Sequence, residues 1–248
     1  MARSFASASS QYLVFSSPIL SSYPVSMACW WYTTNDIGAR DLMAISGLGG
    51  SQLMSTGGQH VIAATLNLGA VYADNVTGYS TSTWNHSTAT FSSATNRNLY
   101  LNGGAAATNA TSKAWPAVTE TAIATRYSGI ITSYFNGFIA EVGIWSAALT
   151  RAEADTLAAG HSPLLIRPQS LVAYWPLIGR TSPEIGLVGG YDMALVNAPT
   201  VAVHPRIIYP SNTQSGLTIP GAPPAGAIMP QFQYANLGAS LYNGTLIG

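Results

Sequence analysis

Nine carboxylates, four histidines and one cysteine are the groups in this chain that act most readily as acid, base or metal ligand or, for the thiol, as nucleophile. Cleaving a glycosidic bond takes two carboxylates flanking it. Alternate strand positions share a face, so such a pair would stand a few residues apart on one strand. Glu141 lies in a strand-like run, and Ile139, Gly143 and Trp145 fill the positions where its partner would stand. Glu141 is therefore expected to be structural, held by backbone or an arginine, and no catalytic residue is expected. Calcium needs clustered oxygens. Asp36 and Asp41 flank Arg40 in one loop and Asp74-Asn75 sits in another, but neither has a ligand spacing, and a loop Asp commonly caps its own turn. No cofactor is expected, with structural Ca²⁺ the single candidate. His60, His86, His161 and His204 are scattered and read as ordinary polar or part-buried side chains. The run Gly47-Leu48-Gly49-Gly50 lacks the Gly-Lys-Ser/Thr step into a helix that a phosphate cradle needs. Cys29 stands alone in an alternating apolar segment and reads as a small buried hydrophobe.

Binding without bond making is the chemistry left, and aromatic rings are the means. Tyr79, Trp84, Trp115 and Tyr127 are the candidates for stacking on a sugar. Tyr23, Trp31, Tyr32 and Trp145 are assigned to the core or to sheet faces.

The elements that would position these rings are short alternating strands broken by Gly, Ser, Asn and Pro. Val25, Met27, Cys29 and Trp31 would share one face, with Ser26, Ala28, Trp30 and Tyr32 on the other. Ile62, Ala64, Leu66 and Leu68 repeat the period, as do Phe138, Ala140, Val142 and Ile144. Asn102-Gly103 suits a type I′ hairpin, where both central residues need positive φ, and Asn136-Gly137 is a second candidate turn. One segment breaks the pattern. Thr150 and Glu153 have the spacing of a capping box, Ala154, Leu157 and Ala158 follow at helical spacing, and Gly160 suits the C′ position. One short helix is expected near residues 150–159.

Only 7% of residues are charged, against about 25% in ordinary soluble proteins. Nine Arg plus Lys against nine Asp plus Glu leave no net charge and no basic footprint for nucleic acid. No run is long enough to span a membrane, and the start of the chain has no apolar stretch of a secretory signal. No nucleic-acid or membrane partner is expected. After Arg206 there is no charged residue to the end. That stretch carries Ile207, Ile208, Tyr209, Leu217, Ile219, Ile228, Met229, Phe232, Tyr234, Leu237, Leu241, Tyr242, Leu246 and Ile247 among its Pro, Gly, Ala and Asn. An ordinary disordered tail is charged and poor in apolar groups. Residues 206–248 are therefore expected to form an extended arm that anchors on another subunit, with residues 1–205 forming one all-β domain.

Several segments, taken in order, resemble the laminin-G-like, concanavalin-A-like jelly roll. They are Gln11-Tyr12-Leu13-Val14-Phe15, Ser26-Met27-Ala28-Cys29-Trp30-Trp31, Trp84-Asn85-His86 with Ala89-Thr90-Phe91, and Leu99-Tyr100-Leu101-Asn102-Gly103. They continue with Phe135-Asn136-Gly137-Phe138-Ile139-Ala140-Glu141-Val142-Gly143-Ile144-Trp145 and Ala148-Leu149-Thr150, Glu153 and Gly160. The resemblance implies a two-sheet antiparallel sandwich over residues 1–205. The segment from Ser162 to Tyr209 resembles the end of such domains in phage and prophage proteins. On that resemblance the expected function is a non-enzymatic virion structural protein, a capsid decoration (cement) protein made in the host cytoplasm. Its partners would be major capsid or other virion subunits, and it would form a homo-oligomer. The alternative is a carbohydrate-binding module of a tail fibre or cell-surface protein, with a host-surface glycan as partner.

Overall fold

The computed structural model describes residues 1–35 and 38–210. The chain divides into Met1–Pro210 and Ser211–Gly248. The first unit holds every described strand and helix, and the expected anchors from Leu217 to Ile247 lie outside the described residues.

The strands are β1 (Ala2–Phe5), β2 (Tyr12–Phe15), β3 (Val25–Tyr32), β4 (Arg40–Gly47), β5 (Gly50–Gly57), β6 (His60–Leu66), β7 (Ala70–Asn75), β8 (Trp84–Ser93) and β9 (Asn96–Leu101). They continue as β10 (Ala107–Asn109), β11 (Glu120–Ile123), β12 (Arg126–Tyr127), β13 (Ile131–Thr132), β14 (Gly137–Trp145), β15 (Leu171–Trp175), β16 (Ala194–Val196) and β17 (Thr200–Ala202). The α-helix α1 (Arg151–Ala158) separates β14 from β15. An eight-stranded sheet runs β10-β9-β8-β3-β14-β1-β17, with β15 also paired to β14, and a seven-stranded sheet runs β16-β2-β11-β4-β5-β6-β7. Every ladder in both sheets is antiparallel. The fold is the expected two-sheet antiparallel jelly-roll sandwich.

Alternation explains the core. Val25, Met27, Cys29 and Trp31 of β3 are fully buried between the sheets, where they meet Met43, Ile45, Met54, Val61 and Ala63 of the facing strands. Burial pushes the Cys29 thiol well above its usual range, so it packs as an inert small hydrophobe. Asn102 (φ 52°) and Gly103 (φ 71°) both take the positive φ that their hairpin requires. Helix α1 starts with the expected box. Thr150 accepts from the Glu153 N–H and Glu153 accepts from the Thr150 N–H. Arg167 clamps the same carboxylate at 2.7 and 2.8 Å, and against the opposing effect of desolvation the Thr150 N–H first and Arg167 next hold it below the usual range.

Two local readings differ. Asn136-Gly137 is not a hairpin, because β13 pairs with β12 and β14 starts anew at Gly137. Gly137 sits at φ 144°, and a Cβ there would lie 2.0 Å from the Tyr32 carbonyl oxygen. The alternation drawn through Phe138, Ala140, Val142 and Ile144 also breaks. A bulge between Ala140 and Gly143 shifts the register with Glu141 at φ 55°, so Ile139, Val142 and Ile144 face the core instead.

Candidate functional site

The bulge decides where Glu141 goes. Its carboxylate is 2% exposed and accepts from the Tyr174 hydroxyl at 2.7 Å and the Tyr209 hydroxyl at 2.8 Å, with the His204 ring 3.2 Å away. The expected backbone or arginine partner is replaced by two phenols and an imidazole. The phenols of buried Tyr174 and of the more exposed Tyr209 both have their pKa values raised well above the usual range, mainly by desolvation and then by the neighbouring Glu141. No second carboxylate stands on β14. The arrangement is a buried anchor. It also fixes the end of the first unit, where Ile208 bridges His161 in parallel and exchanges hydrogen bonds with Gly160 and Ser162. Ile208 and Tyr209 therefore anchor on their own sandwich, with Ile207 half-buried beside them.

The described residues of the two loops considered for calcium have partners within the protein. Asp41 is fully buried and accepts from Arg126 at 3.2 and 3.1 Å, yet desolvation still raises its carboxyl to about 6. Asp74 pairs with His60, and Asn75 accepts from the N–H and hydroxyl of Thr77. Asp36 lies outside the described residues. Among the described residues no group of three His, Cys, Asp or Glu side chains could hold a metal.

The four aromatic candidates go to different places. Tyr79 is 8% exposed, because its ring turns inward and meets Trp31 edge-on at 4.6 Å. It belongs to the core, which corrects the expectation of an exposed ring. Trp115 is half-buried and edge-on to Tyr23 at 4.9 Å, packed against the same core. Tyr127 is half-buried in the β12–β13 hairpin, where its N–H donates to Ser46 of the seven-stranded sheet. Trp84 lies on the opposite sheet, and there it has company.

Cross-strand register builds a raft of rings on the outer face of the eight-stranded sheet. Tyr32 stands opposite Trp84 on one side and opposite Phe138 on the other. Trp31 faces the core, so Tyr32 and its row face away from it. Tyr32 stacks on Phe138 at 5.0 Å and 14°. Trp84 is tilted against Tyr32 at 6.0 Å and against Phe138 at 6.3 Å. All three are half-buried. Two residues along, Trp30 stands opposite His86 with ring centroids 5.2 Å apart. Full burial pulls the His86 pKa down to about 3, so the ring is neutral at pH 7. Further along the same face, Leu157 of α1 packs in a second apolar cluster with Ala28, Trp145, Leu149 and Tyr174. The raft's neighbours in sequence and register are Ser4, Thr33, Thr83 and Gly137, none of them charged. Such a surface offers flat apolar rings with Ser4 in register beside Phe138, which suits the apolar face of an uncharged sugar. Tyr32 and Phe138 were missed because pairing across strands leaves no spacing signal. The one available hint was outward alternation on a strand rich in aromatics.

Residues 7–155 match the family described as the concanavalin A-like lectin/glucanases superfamily, in its laminin G branch. The chain belongs to this superfamily. Within it, the chain is similar to a putative carbohydrate binding protein from Bacteroides ovatus at TM-score 0.57 and 15% identity, over 81% of this chain and 61% of that one. A native heptameric SAP-like pentraxin from Limulus polyphemus gives TM-score 0.52 and 14% identity, over 63% of this chain and 81% of that one. At such identities the likeness shows the concanavalin A-like fold alone. No match was found among curated protein sequences.

Proposed function

We propose that this chain is a non-enzymatic carbohydrate-binding module that takes neutral glycan on the raft of Tyr32, Trp84 and Phe138. The raft carries the reading. Large half-buried rings in mutual contact on a sheet face are costly to leave against water and are the usual anchors of recognition surfaces. The Bacteroides ovatus relative, named as a putative carbohydrate binding protein, supports it at the level of fold. Glu141, engaged by Tyr174, Tyr209 and His204, supports the non-enzymatic part. The test is a glycan array followed by calorimetry on the best glycan. Trp84→Ala is expected to lower affinity about 10- to 100-fold, with the protein still folded by near-UV circular dichroism. Tyr127→Ala, on the other sheet, is expected to leave affinity unchanged. Equal binding by wild type and Trp84→Ala would reject the raft as the site.

A second reading has an observation of its own. The chain is free of charge after Arg206 and rich in apolar anchors, as suits an arm docking on virion subunits in a capsid decoration protein. Truncation after Pro210 is then expected to abolish co-sedimentation with undecorated particles while the sandwich stays folded. Full-strength binding without the arm would remove this reading.

A further inference from the structure

The rings of the raft stop at β14, and the register runs on. Trp84, Tyr32, Phe138, Ser4 and Thr200 stand opposite one another in turn, on β8, β3, β14, β1 and β17. Residues in register on neighbouring strands share a face, so the row continues past Phe138 as two small hydroxyl side chains. Phe5 packs in the core, which turns its neighbour Ser4 outward. Ser4 is half-buried and Thr200 exposed. A phenyl ring stands taller than a Ser or Thr side chain, so the outer face steps down from Phe138 onto a shelf. The shelf ends at β17, the last strand of that sheet.

The step leaves one ring face bare. Tyr32 and Phe138 are nearly parallel, at 14°, with centroids 5.0 Å apart. Parallel rings that close overlap face to face and do not lie side by side in one plane. Tyr32 therefore takes the face of Phe138 turned toward β3. The other face looks over β1, where Ser4 is too short to cover it. The hydroxyls on the shelf are open as well. Nearby, the Thr33 hydroxyl lies 2.7 Å from the Asn35 carbonyl and 2.8 Å from that of Asn136, and Asn136 Oδ1 accepts from the Ser7 N–H. Ser4 Oγ and Thr200 Oγ1, by contrast, have no hydrogen-bond partner among the described residues.

We propose that the raft holds its glycan by one pyranose ring, which stands on the shelf with a face against the open side of Phe138 and two adjoining hydroxyls on Ser4 Oγ and Thr200 Oγ1. The inference rests on the raft being the glycan site. Aromatic rings supply contact area, and a few placed polar groups fix orientation and choose among sugars. Cross-strand partners carry Cβ atoms about 5 Å apart, near enough for neighbouring hydroxyls of one ring to meet one side chain each. A Ser or Thr hydroxyl both donates and accepts, as a sugar hydroxyl does. The row holds no cation to reward an acidic sugar. The ligand class is a neutral pyranose with one face of C–H bonds and free hydroxyls on two adjoining carbons.

Amide ¹H–¹⁵N titration of the full chain with methyl β-D-glucopyranoside and methyl β-D-galactopyranoside tests the proposal. At least one is expected to bind in the millimolar range and to shift the amides of Ser4, Phe138 and Thr200 together. The double variant Ser4→Ala with Thr200→Val keeps both side-chain shapes, and is expected to fold as the wild type does and to bind about tenfold more weakly for two lost hydrogen bonds. Two monodeoxy forms of the bound sugar, altered at adjoining carbons, are expected to bind the wild type at least about threefold more weakly. To the double variant they should bind as well as the parent sugar. A double variant that binds as tightly as the wild type, while Trp84→Ala weakens binding, would overturn this inference and leave the raft as the site. Binding of neither pyranoside would overturn it too.

Discussion

Between pH 6 and pH 4 the stability of the wild type is expected to stay nearly level, while single substitutions at two buried groups tilt it in opposite directions. His86 has its pKa pulled from the usual 6.5 down to about 3 by burial. Its contribution is fully present above pH 6.5 and is lost as pH falls toward 3, because the unfolded chain takes up the proton first. The shift is worth about 5 kcal/mol at ~1.36 kcal/mol per unit. Asp41 runs the other way. Burial raises it from 3.8 to about 6 against the opposing pull of Arg126. Its contribution is fully present below pH 3.8 and is lost as pH rises through 6, about 3 kcal/mol in all. Between pH 6 and 3.8 the two slopes cancel. Denaturant titrations at pH 4, 5, 6 and 7 check this. Asp41→Asn is expected to lose roughly 2–3 kcal/mol on going from pH 6 to pH 4, and His86→Leu to gain a similar amount. Profiles of both variants parallel to the wild type would show that neither group is buried as described.

The other large effect is expected at the pair that ties the end of the sandwich to its start. Arg3 of β1 donates through Nε to Glu184 at 2.6 Å and through its other nitrogens to the carbonyls of Thr181 at 2.6 Å and Pro199 at 3.1 Å. The two side chains are 5% and 3% exposed. Glu184 in turn exchanges backbone hydrogen bonds with Met193 at 2.9 Å each way. Removing the carboxylate leaves a guanidinium buried without its counter-charge. Glu184→Ala is therefore expected to cost about 3–5 kcal/mol in a denaturant titration. The double replacement Arg3→Met with Glu184→Leu is expected to recover most of it, since an apolar pair has no charge to desolvate. A cost for Glu184→Ala below about 1 kcal/mol would mean that water reaches the pair.

What could be read from the residues alone was local. The box from Thr150 to Glu153 spans four residues and the Asn102-Gly103 turn two, so both stood in the sequence as they stand in the fold. Alternation placed Val25, Met27, Cys29 and Trp31 in the core because nothing interrupts β3. It failed from Phe138 to Ile144 because a bulge adds one residue where the pattern shows no gap, and that residue is Glu141. Tyr79 and Trp84 could not be told apart, since both are aromatic residues among Gly, Ser and Thr. The direction each ring takes depends on Trp31 and Tyr32, nearly fifty positions earlier. The raft itself exists only once β3, β8 and β14 are side by side.

The proposed function is tested most directly by recording the ¹H–¹⁵N spectrum of the full chain during titration with its best array glycan. The indole N–H of Trp84 and the backbone amides of Tyr32 and Phe138 are expected to shift together along one saturating curve, with those of Tyr127 and Trp115 unmoved. Glycan binding that shifts the β12–β13 hairpin and leaves Trp84 in place, or an array on which no glycan binds, would contradict it.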